Sequence, residues 1–418
     1  MDTDIRARTD GLGWVTSAIF PDNRVRLAIT ASARKSVGTG ERDIARFLVS
    51  PSADRPKFLL PHGSRRVTAA SVLSYNAMRP WKVRSARFAI GMGTRTGLAD
   101  LLRMPVLTAT APTDVDVTEV SLVAHLSALL GIPDLYAAVG IRPPDPNHKP
   151  TLQLFDGQGR PRGYAKIGWN DATRALVRNE AAALAGLPER PADPAYPSPT
   201  RLLTAFAWQG REVAVIEPLP ASTRRLPENG APRLDALLAI ARRGGPATPP
   251  AGFGDSPYLA GLRERASAAT AGDPSLSERI GDLLDRLADR HGATAVEFGD
   301  WHGDWVPWNL GTAGGRLMVW DWEHSRPGVP LGFDLAHEGF NVPLTQRGIG
   351  AAASAREADD LVRAHAGALG LDPAGAALVV DAYLVEMWVR TATLAAGGAG
   401  WNPDLHPALL DALTTRLA

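Results

Sequence analysis

The residues with the greatest chemical potential sit in one short stretch, His302-Gly303-Asp304-Trp305-Val306-Pro307-Trp308-Asn309, followed after a brief interval by Val319-Trp320-Asp321-Trp322-Glu323. Asp304, Asn309 and Asp321 together offer two carboxylates and an amide oxygen. Hard oxygen donors beside a nucleophile position are the signature of magnesium-type chemistry. Either triplet alone, His302-Gly303-Asp304 or Asp321-Trp322-Glu323, would mean little; their combination in a loop, hairpin, loop context selects a site. Asp300-Trp301-His302 could also be read as the Asp-x-His metal pair of a dinuclear phosphoesterase. That reading needs downstream ligands in a Gly-Asn-His setting, and His324, His337, His365 and His406 do not have one.

Several elements must hold these groups. Leu310 to Thr312 and Arg316 to Asp321 form a hairpin-like pair directly after the loop. Upstream, Tyr136 to Ile141, Thr151 to Phe155 and Gly163 to Trp169 read as a β-meander. A helix capped by Asn170 or Asp171 follows, running to about Ala185 before Gly186 and Pro188 stop it. Two more strands, Leu202 to Trp208 and Arg211 to Glu217, turn at Gln209 and Gly210. Beyond Pro220 the chain reads as helical, with Arg233 to Arg243, Pro257 to Thr270, Ser275 to His291, Ala355 to Leu369 and Pro373 to Ala396.

On these residues the chain resembles the aminoglycoside phosphotransferase and choline kinase superfamily, whose fold is similar to that of protein kinases. The matching pattern is the H-G-D-x-x-x-x-N loop of His302 to Asn309 and the metal-binding aspartate at Asp321. The resemblance covers about residues 135 to 400. It implies an α+β, bilobal protein-kinase-like fold with a five-stranded N-lobe and a helical C-lobe, to which residues 1–117, outside the resemblance, are expected to add an N-terminal α/β accessory segment. It implies Asp304 as the catalytic residue meeting the acceptor hydroxyl, and Asn309 and Asp321 as ligands of Mg2+. Lys166, in Gly163-Tyr164-Ala165-Lys166-Ile167, would bind the phosphates of ATP or another nucleoside triphosphate, oriented by Glu180. The Glu217 carbonyl and Leu219 amide, around Pro218, would contact adenine. Asp334, in Gly332-Phe333-Asp334-Leu335-Ala336, would brace the loop. The first hairpin departs from the kinase pattern, because Arg142 to Pro150 is rich in proline where protein kinases are rich in glycine. Prolines remove amide donors, which leaves the side chains of Asn147, His148 or Lys149 as phosphate contacts.

The implied activity is ATP- and Mg-dependent phosphoryl transfer to a hydroxyl of a small molecule such as a sugar, amino sugar or amino alcohol. Two other readings compete with it: a biosynthetic peptide Ser/Thr kinase, and a catalytically silent nucleotide-binding module. Retention of Asp304, Asn309, Asp321 and Lys166 argues against silence. Near Asp304, the acidic Glu323, Glu338 and Asp300 outnumber the cation Arg326, which favours an amino-bearing acceptor. Of five tryptophans at 301, 305, 308, 320 and 322, Trp305 and Trp308 could stack on a sugar ring, against a plainer role in packing.

The 418 residues carry 45 basic and 44 acidic side chains, a balance that selects neither nucleic acid nor an anionic membrane as partner. The absence of cysteine excludes disulfide scaffolds, thiolate nucleophiles and Cys-ligated zinc. Lysine occurs only at 35, 57, 82, 149 and 166, so each well-placed lysine is informative. Met1 to Asp10 is charged and lacks an apolar core, and Ala374 to Val389 is interrupted by Asp381 and Glu386. No secretory signal or membrane span is expected, and the location expected is cytoplasmic. Three regions are expected: 1–117, an accessory segment without assigned chemistry, whose β-like runs include Trp14 to Phe20; 118–220, the nucleotide-binding lobe; and 221–418, the catalytic lobe.

Overall fold

The structure, a computed structural model, describes residues 5–30, 40–74, 81–97, 104–143, 148–188, 193–227, 230–243, 251–398 and 404–418. The chain divides into two compact units, Met1–Val177 with Arg201–Thr223, and Arg178–Thr200 with Arg224–Ala418. The first boundary, between Val177 and Arg178, lies inside a helix, Asp171–Gly186.

The first unit is built on nine strands: β1 Arg26–Thr30, β2 Glu41–Pro51, β3 Pro56–Pro61, β4 Val106–Pro112, β5 Tyr136–Gly140, β6 Thr151–Phe155, β7 Pro161–Gly168, β8 Leu202–Trp208 and β9 Arg211–Ile216. They form one antiparallel sheet in the order β1-β4-β2-β3-β5-β6-β7-β9-β8. The five strands β5 to β9 are the runs the turn spacing predicts. Residues 1–117 add the other four, joined where Phe58 and Leu59 pair with Gly140 and Val139.

Side chains alternate across this sheet as a period of two requires. Leu59, Val139, Leu154 and Ile167 enter the main core on one face. Leu60, Ala138 and Phe155 enter a smaller core on the other, under helix α2 (Arg65–Ser74). The main core is covered by helix α1 (Leu12–Ile19) and by Leu122 and Leu126 of the helix Leu122–Leu130. The helical state of α1 corrects the β-like reading of Trp14 to Phe20. A short, continuous apolar run does not distinguish strand from helix by period. Here Asp10 accepts a bond from the Leu12 N–H at 3.1 Å, and Leu12, Val15 and Ile19 are fully buried on one helical face.

The second unit holds α6 (Asp171–Gly186) from Arg178 onward, numbered after α3 (Trp81–Thr96), α4 (Val117–Val120) and α5 (Leu122–Leu130). Then come α7 (Leu234–Ala241), α8 (Pro257–Ala269) and α9 (Pro274–His291). Strands β10 (Phe298–Trp301) and β13 (Arg326–Pro330) pair antiparallel and flank the hairpin of β11 (Leu310–Ala313) and β12 (Arg316–Val319). Helices α10 (Phe333–Gln346), α11 (Ala351–His365), α12 (Pro373–Ala396) and α13 (Leu405–Arg416) follow. Every residue of α12 from Leu378 to Val389 is buried, as expected of a helix apolar on all sides, and α8, α11 and α13 pack around it. Among the described residues, no helix is long and apolar enough to cross a membrane.

Candidate active site

The loop from His302 to Asn309 leaves β10 and enters β11, so both of its ends are anchored in sheet. Gly303 has φ +83°, and a Cβ there would stand 2.2 Å from the His324 carbonyl oxygen; both facts require glycine in the middle of the triplet. Asp334, in the first turn of α10, receives the loop's two leading amides: His302 N–H donates to one carboxylate oxygen at 2.7 Å and Gly303 N–H to the other at 2.9 Å. Burial pushes the Asp334 carboxyl up to about 7 against those two donors. His302 is fully buried, edge-on to Trp322 at 4.6 Å. Burial lowers its pKa to about 4, so the ring is neutral. Its Nδ1 accepts from the Asp304 N–H at 3.2 Å, and its Nε2 donates to the Trp320 carbonyl at 3.1 Å. The histidine is a strut inside the loop.

Asp304 has partners on both carboxylate oxygens. Asn309 Nδ2 donates to Oδ2 at 2.8 Å, and also to the Asp304 carbonyl at 3.0 Å. His337 Nε2 lies 3.0 Å from Oδ1. The side chain keeps 23% of its surface exposed, whereas that of His337 keeps none. Burial opposes ionisation of Asp304, but the hydrogen bond from His337 and the charge of Arg390 hold its pKa well below the usual carboxylate range. It is an ionised, oriented carboxylate with lone pairs left for a further proton donor.

Asn309 and Asp321 stand at the open end of the β11–β12 hairpin, where the Trp320 N–H donates to the Asn309 carbonyl at 3.3 Å. Because the Asn309 amide nitrogen is turned to Asp304, its amide oxygen remains available as a ligand. Asp321 has φ +65°, an uncommon conformation for a residue with a Cβ that aspartate adopts more readily than most. One amide oxygen and one carboxylate fit magnesium, which keeps water and phosphate oxygens in its remaining positions.

The other expected site residues divide between the units. Lys166 lies on β7 between the fully buried Ala165 and Ile167, opposite Thr151 and Ala214, and therefore on the face away from the main core. Lys149 is half-buried before β6, and residues 144–147 of its hairpin, Asn147 among them, lie outside the described residues. Glu217 follows β9, where its N–H donates to the Arg201 carbonyl at 2.9 Å and its carboxylate takes the Arg201 guanidinium at 2.9 Å. Leu219 is half-buried in the segment that follows. Those four belong to the first unit, and Glu180, buried on α6, belongs to the second. One residue before Glu180, Asn179 Nδ2 donates to the carbonyls of Glu323 and Ser325 at 2.9 and 3.0 Å, which fastens α6 to the segment after Asp321.

Sequence reasoning missed the groups behind the loop. His337 carries Asp304, Tyr383 OH lies 3.0 Å from His337 Nδ1, and Arg390 Nη1 donates to the Gly303 carbonyl at 2.6 Å. Tyr383, Glu386 and Arg390 recur at helical spacing through an otherwise apolar α12, a signal that was open to view. The expected charge balance also shifts: Asp300 is paired with Arg243 at 2.7 Å and Arg326 with Glu386 at 2.9 Å, so Arg390 is the cation beside Asp304. Trp301, Trp305 and Trp322 are core residues at 3% exposure or less, while Trp308 and Trp320 are half-buried. Trp305 also lines a cavity of about 200 Å³ with Glu338, Pro307 and Leu310.

No family model and no curated protein matches the chain. Its structure is similar to those of aminoglycoside phosphotransferases and choline kinases. A thermostable mutant of aminoglycoside phosphotransferase APH(4)-Ia, in its apo form, is 15% identical with a TM-score of 0.44, and the match covers 71% of this chain and 98% of that one. A ternary complex of a mutant of the same enzyme with ADP and hygromycin B is 16% identical, with a TM-score of 0.42 over 71% and 97% of the two chains. Choline kinase LicA from Streptococcus pneumoniae is 14% identical, with a TM-score of 0.41 over 71% and 97%.

Proposed function

We propose that the protein is an ATP- and magnesium-dependent phosphotransferase acting on a hydroxyl group of a small molecule, such as a sugar, amino sugar or amino alcohol. The observation that carries this reading is Asp304: an ionised carboxylate, held through both oxygens yet part-exposed, on a loop that also presents Asn309 and Asp321. In this reading Asp304 accepts a hydrogen bond from the acceptor hydroxyl, aligns its oxygen and takes its proton as the oxygen bonds to phosphorus. Asn309 Oδ1 and the Asp321 carboxylate would hold magnesium, which when bound supplies charge neutralisation for the phosphates. Lys166, oriented by Glu180, would bind the nucleotide's phosphates with Lys149 near them, and the Glu217 carbonyl and Leu219 amide would receive adenine.

The test is Asp304→Ala. Phosphoryl transfer should fall on the order of 10²-fold or more, while calorimetric binding of magnesium and a non-hydrolysable ATP analogue stays close to wild type. Full ATP-dependent turnover in the purified variant would overturn the assignment.

A further inference from the structure

Resting on the phosphotransferase reading, we infer that His337 is a positioning residue for Asp304 and that Tyr383 fixes the tautomer in which it acts. Three side chains from the loop, α10 and α12 stand in a line: Asp304 Oδ1, 3.0 Å from His337 Nε2, and His337 Nδ1, 3.0 Å from Tyr383 OH. His337 and Tyr383 are fully buried. The ionised Asp304 carboxylate can only accept, which places a ring proton on Nε2, and burial favours the neutral ring, so Nδ1 is left to accept from the Tyr383 hydroxyl. The Asn341 Nδ2 lies 3.2 Å from the same Nε2, and a proton on Nε2 requires this amide to be turned so that its oxygen faces the ring. Among the described residues, the charged or titratable groups around this ring are Asp304, Arg390, Tyr383 and His302, with Asp334 and Glu386 beyond the phenol.

The consequence is geometric. Asn309 holds one oxygen of Asp304 from within the loop, and His337 holds the other from α10, so the plane of the carboxylate is fixed from two independent elements. A base that can swing loses the alignment on which its contribution depends. During transfer the acceptor oxygen bonds to phosphorus, the bond from phosphorus to the departing ADP oxygen breaks, and the hydroxyl proton passes to Asp304. His337 keeps its own proton throughout, because its only lone pair is occupied by Tyr383.

The test uses the full chain with His337→Leu, His337→Gln and Tyr383→Phe. In the first arm, 15N spectra of histidine-labelled protein, with His337 assigned by its loss in His337→Gln, should show Nε2 protonated and Nδ1 bare at neutral pH, and the Nδ1 signal should move in Tyr383→Phe. An Nδ1–H tautomer or an imidazolium overturns the inference, and this arm needs no turnover. The second arm measures ATP consumption with amino sugars, amino alcohols or water as acceptor. His337→Leu should lower kcat roughly 10- to 100-fold with KM for ATP unchanged. His337→Gln, whose amide can donate to Asp304, should recover most of that loss. Wild-type kcat in His337→Leu, alongside an inactive Asp304→Ala, sinks the inference and leaves the phosphotransferase reading standing. Turnover that Asp304→Ala does not reduce, or no turnover by the wild type, sinks the reading, and the spectra alone then decide the tautomer.

Discussion

Two histidine–aspartate pairs among the described residues of the second unit do different work. His337 and Asp304 meet at 3.0 Å, and His291 and Asp381 at 2.8 Å. Asp381 keeps 4% of its surface exposed, against 23% for Asp304. Its second oxygen is taken by the Arg416 guanidinium, which also grips Asp359 at 2.5 and 2.7 Å, with Arg290 at 4.0 Å. Helices α9, α11, α12 and α13 are thereby tied at one point, and the carboxylate has nothing left to offer a substrate. Asp304 is tied just as firmly, but only from behind. A firmly held carboxylate becomes a candidate site when its partners leave one side of it open.

The comparison can be broken most forcefully at the closed pair. Asp381→Ala leaves Arg416 and His291 without their shared anion, and should cost about 3–5 kcal/mol, read by urea unfolding, with turnover per folded molecule unchanged. An unaltered midpoint would mean the pair is no clamp. Gly303→Ala should come next, since the new methyl group collides with the His324 carbonyl; a loss of about 1–3 kcal/mol is expected, and Asp304 should lose activity with it. Wild-type turnover in that variant would show that the loop's geometry does not control the base.

Asp321→Asn sharpens the open side. Asparagine tolerates the left-handed backbone at that position, so apo stability should stay close to wild type while affinity for magnesium nucleotide drops roughly tenfold or more. Unchanged calorimetric binding would remove Asp321 from the metal site. The smallest effect is expected at Glu338, whose carboxyl is pushed up to about 7 by burial and then by the charge of Asp334. Its folded pKa exceeds its unfolded value, so the stability it contributes is complete below about 4.5 and is lost as pH rises to about 7. The melting temperature of the wild type should therefore fall across that window relative to Glu338→Gln, by roughly a few degrees. Parallel curves would place Glu338 in water rather than in the cavity wall.

Asp304, Asn309 and Asp321 were legible because their spacing is local: one loop and one hairpin carry all three. The same holds for the five strands β5 to β9, each bounded by turn residues. His337, Tyr383 and Arg390 reach Asp304 and Gly303 across long stretches of chain, and only packing brings them there. Residues 1–117 were opaque for a related reason. Strand β4 sits between β1 and β2, a pairing that no local pattern announces, and the apolar run of α1 fits either secondary structure. The tryptophans divided in the same way, since residue type could not tell the buried Trp305 from the half-buried Trp308.

The measurement that tests the central claim most directly is 31P NMR of the wild-type protein with ATP, magnesium and a panel of amino sugars, sugars, amino alcohols and Ser/Thr peptides. A phosphomonoester resonance should grow at the expense of the γ-phosphate, first on the polyhydroxylated or amino-bearing small molecules, and Asp304→Ala should not produce it. A monoester formed only on peptide would contradict the acceptor class, and one formed equally by Asp304→Ala would contradict the account of the site.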